Sequence, residues 1–378
     1  MKKTVRIYNI LLMALFLGLI MTSFLNDLLR FYEAPATSQS ENRNLAPKPV
    51  FDISYLDPYP KLYENYFNDH FPYRKELIFI NTLNSFFVLN QSPLPDEVSL
   101  GTDGWLFFHQ KESEVYQGKL TLTDWQVEML VRDLHKRTLS YRKRGIRFYI
   151  AFPPMKHEIY SEYLPRTFMR SPGGIVTDKI VGAIRKDTVV QFIDLKTAML
   201  ESKRFGSLYY KTDNHWNWLG AFYGYSAVIG RIAKDFPGVK QVTLDDLRFD
   251  TLKVPPGNLA VMIGLKDYMT ETDYIPTLYY QRARQLEATH QRPDWAKDIV
   301  NYESVRATGD TTLPGTVIIG DSYTDGMRPF FDESFNRTTY IFDGWNYFSN
   351  DAIIDDVKPE IVILLIFEPH ISHLVRVW

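Results

Sequence analysis

Apolar residues along this chain follow two rhythms. Between Thr123 and Arg144, TDWQVEMLVRDLHKRTLSYRKR spaces them as one face of a helix, which starts at a Thr suited to capping and stops before Gly145. GGIVTDKIVGAIRK (173–186) and WLGAFYGYSAVIGRIAKDF (218–236) read as helices in the same way. Between the helices stand short, nearly continuous apolar runs: GIRFYIAFPP (145–154), TVVQFIDL (188–195), TVIIGDS (316–322), TTYIFDGW (338–345) and PEIVILLIFEP (359–369). Buried strands alternating with helices predict a three-layer α/β/α domain over 101–378, with a mainly parallel sheet covered on both faces.

One stretch breaks the alternation. Residues 237–313 contain VPPGNLA, GLKDYMTETDYIPTLYY and the charged run QRARQLEATHQRPDWAKD, and read as an insertion, which at the end of a sheet either shapes a pocket or merely decorates the fold. Ahead of the domain, residues 50–100 form a helical lead-in, two short helices divided at Phe71-Pro72. Residues 27–49 are polar and proline-punctuated, a stalk. Residues 7–26 carry no formal charge and follow Lys2, Lys3 and Arg6. At ~1.5 Å per residue such a helix reaches about 30 Å, the thickness of a bilayer's hydrocarbon layer. The expectation is a single-pass signal anchor with a cytoplasmic tip (1–6) and everything after Asp27 outside the cytoplasm, on the periplasmic or cell-surface side. A cleavable signal peptide is the alternative, and it exports the same chain.

Composition narrows the function. The 378 residues sum to a net charge of −2, so no basic field argues for nucleic acid. There is no cysteine, which excludes disulfides, thiolate metal sites and a cysteine nucleophile. Glu368, His370 and His373 in FEPHISH are the nearest thing to a ligand cluster, but no further ligand is evident beside them; the expectation is no metal and no cofactor. Aromatics reach 15%, which suits a sugar-facing surface and equally an aromatic core.

The chemistry sits in two motifs. Ser322 follows the apolar run TVIIG and precedes a short helix, at the strand end where open α/β sheets bind ligands. Serine needs a base, and in KTDNHWNW an Asp and a His stand one residue apart. In an extended segment that spacing puts both side chains on one side, so Asp213 can orient His215 for proton transfer. Separately, each motif is an ordinary turn or cap; together they supply nucleophile, base and orienting acid. Asn346, Tyr323 and Lys156 are candidates for the oxyanion site or the pocket lining.

IIGDSY resembles the nucleophile block of SGNH hydrolases, with the Asp–His pair moved ahead of the Ser. This permuted order, together with ENRNLAPKP, YENYFNDHFPYRKELI, GTDGWLFF, AFPPMKHEIYSEYLP and TDNHWNWLGA, is similar to the alginate O-acetyltransferase and DHHW families. The resemblance implies a Ser322–His215–Asp213 triad that acetylates an exported polysaccharide. It also implies a multi-pass membrane acyltransferase as the source of acetyl groups. The alternatives are an acetyl-ester hydrolase using the same triad, or a non-catalytic polysaccharide-binding scaffold of an export complex.

Overall fold

The computed structural model describes residues 2–29, 45–53, 56–71, 73–342 and 351–375. The chain divides into two compact units, Met1–Leu89 and Asn90–Trp378. In the first, α1 (Lys2–Leu29) is one continuous helix of 28 residues. Two shorter helices follow, α2 (Tyr59–His70) and α3 (Arg74–Leu83), the former ending just before the Phe71-Pro72 break. Among the described residues no helix is long and apolar enough to cross a membrane. The spanning segment expected over 7–26 is therefore not established by the fold.

The second unit opens with the antiparallel pair β1 (Val98–Leu100) and β2 (Leu106–Phe108), followed by α4 (Gln110–Tyr116). Helix α5 (Asp124–Lys143) begins at a capping box: Thr123 Oγ1 accepts the Gln126 N–H while the Gln126 side chain accepts the Thr123 N–H. Then come β3 (Arg147–Ala151), α6 (Lys156–Ile159), α7 (Val176–Ile184), β4 (Gln191–Ile193), α8 (Leu195–Ser202) and α9 (Trp218–Ile232). The next segment holds β5 (Leu247–Val254), α10 (Asn258–Met262), β6 (Glu271–Leu278), β7 (Arg284–Leu286) and β8 (Glu303–Ala307). The chain closes with β9 (Gly315–Gly320), α11 (Arg328–Ser334), β10 (Arg337–Phe342), α12 (Asp351–Val357) and β11 (Ile361–Leu365).

Seven strands form the main sheet in the order β4-β3-β11-β9-β10-β8-β7. The five from β4 to β10 run parallel, while β8 and β7 add antiparallel at one edge. The sheet is thus mixed, because two of its strands come from the segment that breaks the alternation. Every residue of β11 is buried, so both faces of the sheet are covered at its centre. Helix α5 packs on β3 and on α7, and α9 packs with α8 and α11. The chain leaves β9 toward β10 on one side and leaves β3 toward β4 on the other. A crevice opens where successive connections diverge in this way, at the carboxyl ends of the strands.

The segment 237–313 also builds a second structure. Strands β5 and β6 pair antiparallel over eight residues each as a separate two-stranded sheet. The turn at Gly257, the start of α10 and the first residues of β6 lie directly against the loop that carries Asp213.

Candidate active site

Ser322 lies where β9 ends. Its neighbour Asp321 is buried and accepts the Tyr323 N–H (3.0 Å) through one carboxylate oxygen and the Phe367 N–H (2.8 Å) through the other. One carboxylate thereby ties the turn after β9 to the chain leaving β11. The turn Ser322–Met327 winds as a 3-10 helix and leaves the Ser322 hydroxyl at the surface of a cleft.

The loop 210–215 comes to meet it. Asp213 Oδ1 accepts the main-chain N–H of His215 (3.0 Å) and also its ring Nδ1–H (2.7 Å). The local structure is an Asx turn, not the extended segment that the D-x-H spacing suggested. The effect is the same pairing by another route: one oxygen holds backbone and ring of the residue two positions on. With Nδ1 protonated, Nε2 is the acceptor that faces Ser322 Oγ at 2.8 Å. Immediately afterwards Asn217 caps α9, accepting the Gly220 N–H (3.0 Å), so the His is anchored at the mouth of a long buried helix.

Asp213 is tied down on its other side as well. Its Oδ2 accepts the Asn258 N–H at 2.7 Å. Burial by itself raises its pKa, but the His215 hydrogen bond, the imidazole charge and the two main-chain donors outweigh that and hold the carboxyl well below the usual carboxylate range. Burial likewise pulls His215 down, and the Asp213 hydrogen bond and charge, with smaller help from Asp321 and Glu112, push it above its ordinary value. The pair is therefore built to accept a proton on the ring.

The cleft at this point has a volume of about 300 Å³ and is lined by Tyr210, His215, Trp218, Ser322, Asp325 and Gly326 among others. The His215 side chain is 26% exposed, enough for a substrate to reach it. A larger groove of about 800 Å³ runs between α5 and α7 but lies apart from Ser322 and His215. The smaller cleft is the candidate site because Ser322 and His215 line it.

Of the six site residues expected from sequence, Asp213, His215 and Ser322 come together. Tyr323 and Lys156, expected as lining residues, are fully buried behind the cleft instead. Tyr323 stacks on Phe367 (4.2 Å between ring centroids) and donates its hydroxyl to the Asn214 carbonyl (2.8 Å). Lys156 lies under the Asp213 loop, its ammonium held by main-chain carbonyls. Asn346 lies outside the described residues. Glu368 accepts the Met155 N–H (2.9 Å), while the rings of His370 and His373 stack on one another at 5.3 Å. Among the described residues no group of three or more His, Asp or Glu is placed to hold a metal ion.

Several supports carried no signal in the sequence. Glu271 Oε2 accepts both the N–H and the hydroxyl of Thr212 at 2.8 Å, and Tyr210 donates its hydroxyl to Asp273 Oδ2 at 2.6 Å. Gly257 approaches Asp213 so closely that a β-carbon built on it would stand 2.4 Å from Asp213 Cβ and 2.7 Å from Oδ2. Gly257→Ala is therefore expected to push Asp213 off the Asn258 N–H. Overpacking of this kind costs about 1–3 kcal/mol. We expect a lower melting temperature and at least a roughly tenfold loss of any rate that depends on the His215–Ser322 pair, larger than the lost stability alone would cause below the melting range. Paired thermal melts and rate measurements check this; a variant with wild-type turnover removes Gly257 from the account.

Comparison with known proteins bears on the family and the fold. Residues 98–339 match the sequence model of a family described as SGNH hydrolase-like domain, acetyltransferase AlgX. The probable alginate O-acetylase AlgJ of Pseudomonas aeruginosa is 26% identical over 239 residues, which cover 62% of this chain and 57% of that protein. Among solved structures, Bacillus cereus PatB1 superposes with a TM-score of 0.54 at 16% identity, covering 74% of this chain and 98% of its own. PatB1 carrying a sulfonyl adduct gives 0.53 at 17% identity, covering 72% and 97%. At these identities the structures speak for the fold.

Proposed function

Because the chain belongs to the family of SGNH hydrolase-like domains described by the acetyltransferase AlgX, we propose that it is an O-acetyltransferase that modifies an exported polysaccharide through an acyl-enzyme on Ser322. The observation that carries this is the continuous path Ser322 Oγ–His215 Nε2 (2.8 Å) and His215 Nδ1–Asp213 Oδ1 (2.7 Å) opening on a cleft. Ser322 Oγ attacks the acetyl carbonyl while its proton passes to His215 Nε2, and Asp213 stabilises the imidazolium. The donor's leaving group takes that proton. A sugar hydroxyl then attacks the acyl-enzyme, giving its proton to His215. As the acetyl group moves to the sugar, Ser322 Oγ leaves and recovers a proton from the ring. The Ser322 main-chain N–H, at the start of its turn, is the first candidate to meet the developing oxyanion.

A polysaccharide acceptor is supported by the similarity to a protein named as an alginate O-acetylase. It is supported too by Trp218 and Tyr210 among the residues lining the cleft, aromatic side chains of the kind on which a pyranose stacks. Membrane anchoring is part of the proposal. Side chains of α1 from Ile7 to Leu17, Asn9 apart, carry no strongly polar group and are exposed around the helix, a pattern suited to lipid rather than water. Lys2, Lys3 and Arg6 ahead of it support an orientation with the N-terminus in the cytoplasm and the chain after the helix outside it. Acetyl groups reach it from a multi-pass membrane acyltransferase. The test is to incubate the full chain in detergent with an activated acetyl ester and oligosaccharides. Acetylated sugar whose yield grows with acceptor concentration supports transfer. Acetate release indifferent to acceptor would instead make the protein an esterase.

A further inference from the structure

The loop that carries Asp213 and His215 is wound round a lysine. Tyr209 and Trp216 face each other as an isolated antiparallel bridge and close the loop. Inside it, the Lys156 ammonium donates to the carbonyls of Tyr210 (3.0 Å), Lys211 (3.2 Å) and Asp213 (2.6 Å). Three N–H donors meet three acceptors, so the ammonium's capacity is filled. Lys156 is fully buried, and its Nζ also lies 5.0 Å from the centre of the Phe107 ring and 5.4 Å from that of Trp105. It is the first residue of α6, directly after Pro153-Pro154-Met155, so its backbone cannot easily shift.

A buried ammonium is costly, and an apolar residue of equal length often fills such a site without loss of stability. What a lysine does here, and an apolar side chain does not, is turn three carbonyls inward. When the Asp213 carbonyl points in, its side chain is set toward His215.

We propose that Lys156 is a positioning residue: its ammonium fixes the turn at Asp213 that aligns the carboxylate with the His215 ring, and through the ring with Ser322. This rests on the reading of Ser322, His215 and Asp213 as the reacting groups. The residue between the held carbonyls, Thr212, is gripped from the other side by Glu271, so the loop is fastened by a cation within and a carboxylate without. The charged groups that act on the ammonium are Asp213, Glu112 of α4 and Glu271 of β6; the neighbouring Lys211 donates its own ammonium to the Asp103 carbonyl and lies 5.9 Å from the centre of the same Trp105 ring. Burial draws Lys156 down to about 7 against the pull of those three carboxylates. A neutral amine has two N–H donors and releases one carbonyl, so the loop loosens as pH rises.

The test compares the full-length wild type with Lys156→Met by three readings. These are the titration of His215 followed by NMR of its ring, the rate at which phenylmethylsulfonyl fluoride blocks Ser322, and kcat with KM for an activated acetyl ester. For Lys156→Met we expect the His215 pKa to fall by about one pH unit as its carboxylate moves away. The sulfonylation rate and kcat should each fall about a hundredfold, with KM changed by less than about threefold. A folded Lys156→Met protein with the wild-type His215 titration, and with sulfonylation within about twofold of wild type, overturns the proposal whatever its melting temperature. If Lys156→Met fails to fold, Lys156→Gln, which keeps two donors, takes its place. A lowered His215 pKa there supports the proposal and an unchanged one overturns it. Should the acyl-transfer reading itself be wrong, Ser322→Ala would leave transfer intact, a result independent of how His215 titrates.

Discussion

Ser322→Ala is expected to bring acetyl transfer down to background while leaving the fold intact. In the proposed mechanism the hydroxyl is the one group that forms the covalent bond, and its single described hydrogen bond is the 2.8 Å contact to His215 Nε2. In a triad acting as a unit, removal of the serine alone costs on the order of 10⁶ in rate. The substitution takes away one half-buried oxygen at the mouth of a turn whose geometry is set by Asp321, not by Ser322. The melting temperature should therefore stay within a few degrees of wild type. The measurement is transfer from an activated acetyl ester to oligosaccharide, with the acyl-enzyme followed by mass spectrometry. A Ser322→Ala protein that still acquires an acetyl group, or still acetylates sugar, would falsify the mechanism and favour a scaffold.

Asp213→Asn should cost about four orders of magnitude in kcat, because an amide in place of the carboxylate presents the wrong partner to Nδ1–H and loses the charge that stabilises the imidazolium. The pH dependence follows from the same pair. The ring must be neutral to accept the serine proton, so the rate rises with pH through the His215 pKa, which Asp213 holds above its ordinary value. In Asp213→Asn burial is opposed only by the smaller pull of Asp321 and Glu112, and the acid limb should move to lower pH. Stability changes with the opposite signs for the two partners. The Asp213 pKa is depressed on folding, so its contribution is present above the ordinary aspartate value of about 3.9 and is lost as pH falls through the native value. The His215 pKa is raised, so its contribution is present below about 6.5 and is lost as pH rises through the native value. Stability and activity thus pull apart across the His215 titration. A profile whose acid limb is the same in wild type and Asp213→Asn would show that the carboxylate does not govern the ring.

The central strands of the parallel core were plain in the sequence because they are buried on both faces and so read as apolar runs, VII in β9 and IVILL in β11. Strands β7 and β8 escaped notice for the converse reason. β7 is exposed at all three positions and β8 is mostly half-buried, so polar residues such as Arg284, Gln285 and Arg306 hide them among loop sequence. The hairpin of β5 and β6 is hidden likewise, with charges and Pro276 along it. Lys156 read as a pocket residue because lysine is almost never fully buried; three main-chain carbonyls, helped by nearby carboxylates, make that burial tolerable.

By itself the amino-acid sequence determined the α/β alternation and the residue types a triad needs: a serine after a buried strand, and an Asp–His pair ahead of a capped helix. These are local properties, carried by periodicity and by side chains of distinctive chemistry. Only the tertiary structure decided what holds the pair in place: the Asn258 N–H on Asp213, the close approach of Gly257, Glu271 on Thr212, and an ammonium beneath the loop. Most of those supports act through main-chain N–H and C=O groups, which are alike at every residue, and they reach Asp213 and its neighbours from tens of residues away. No pattern of side chains announces such a contact; it exists once the chain has folded and the carboxylate has nowhere else to find its donors.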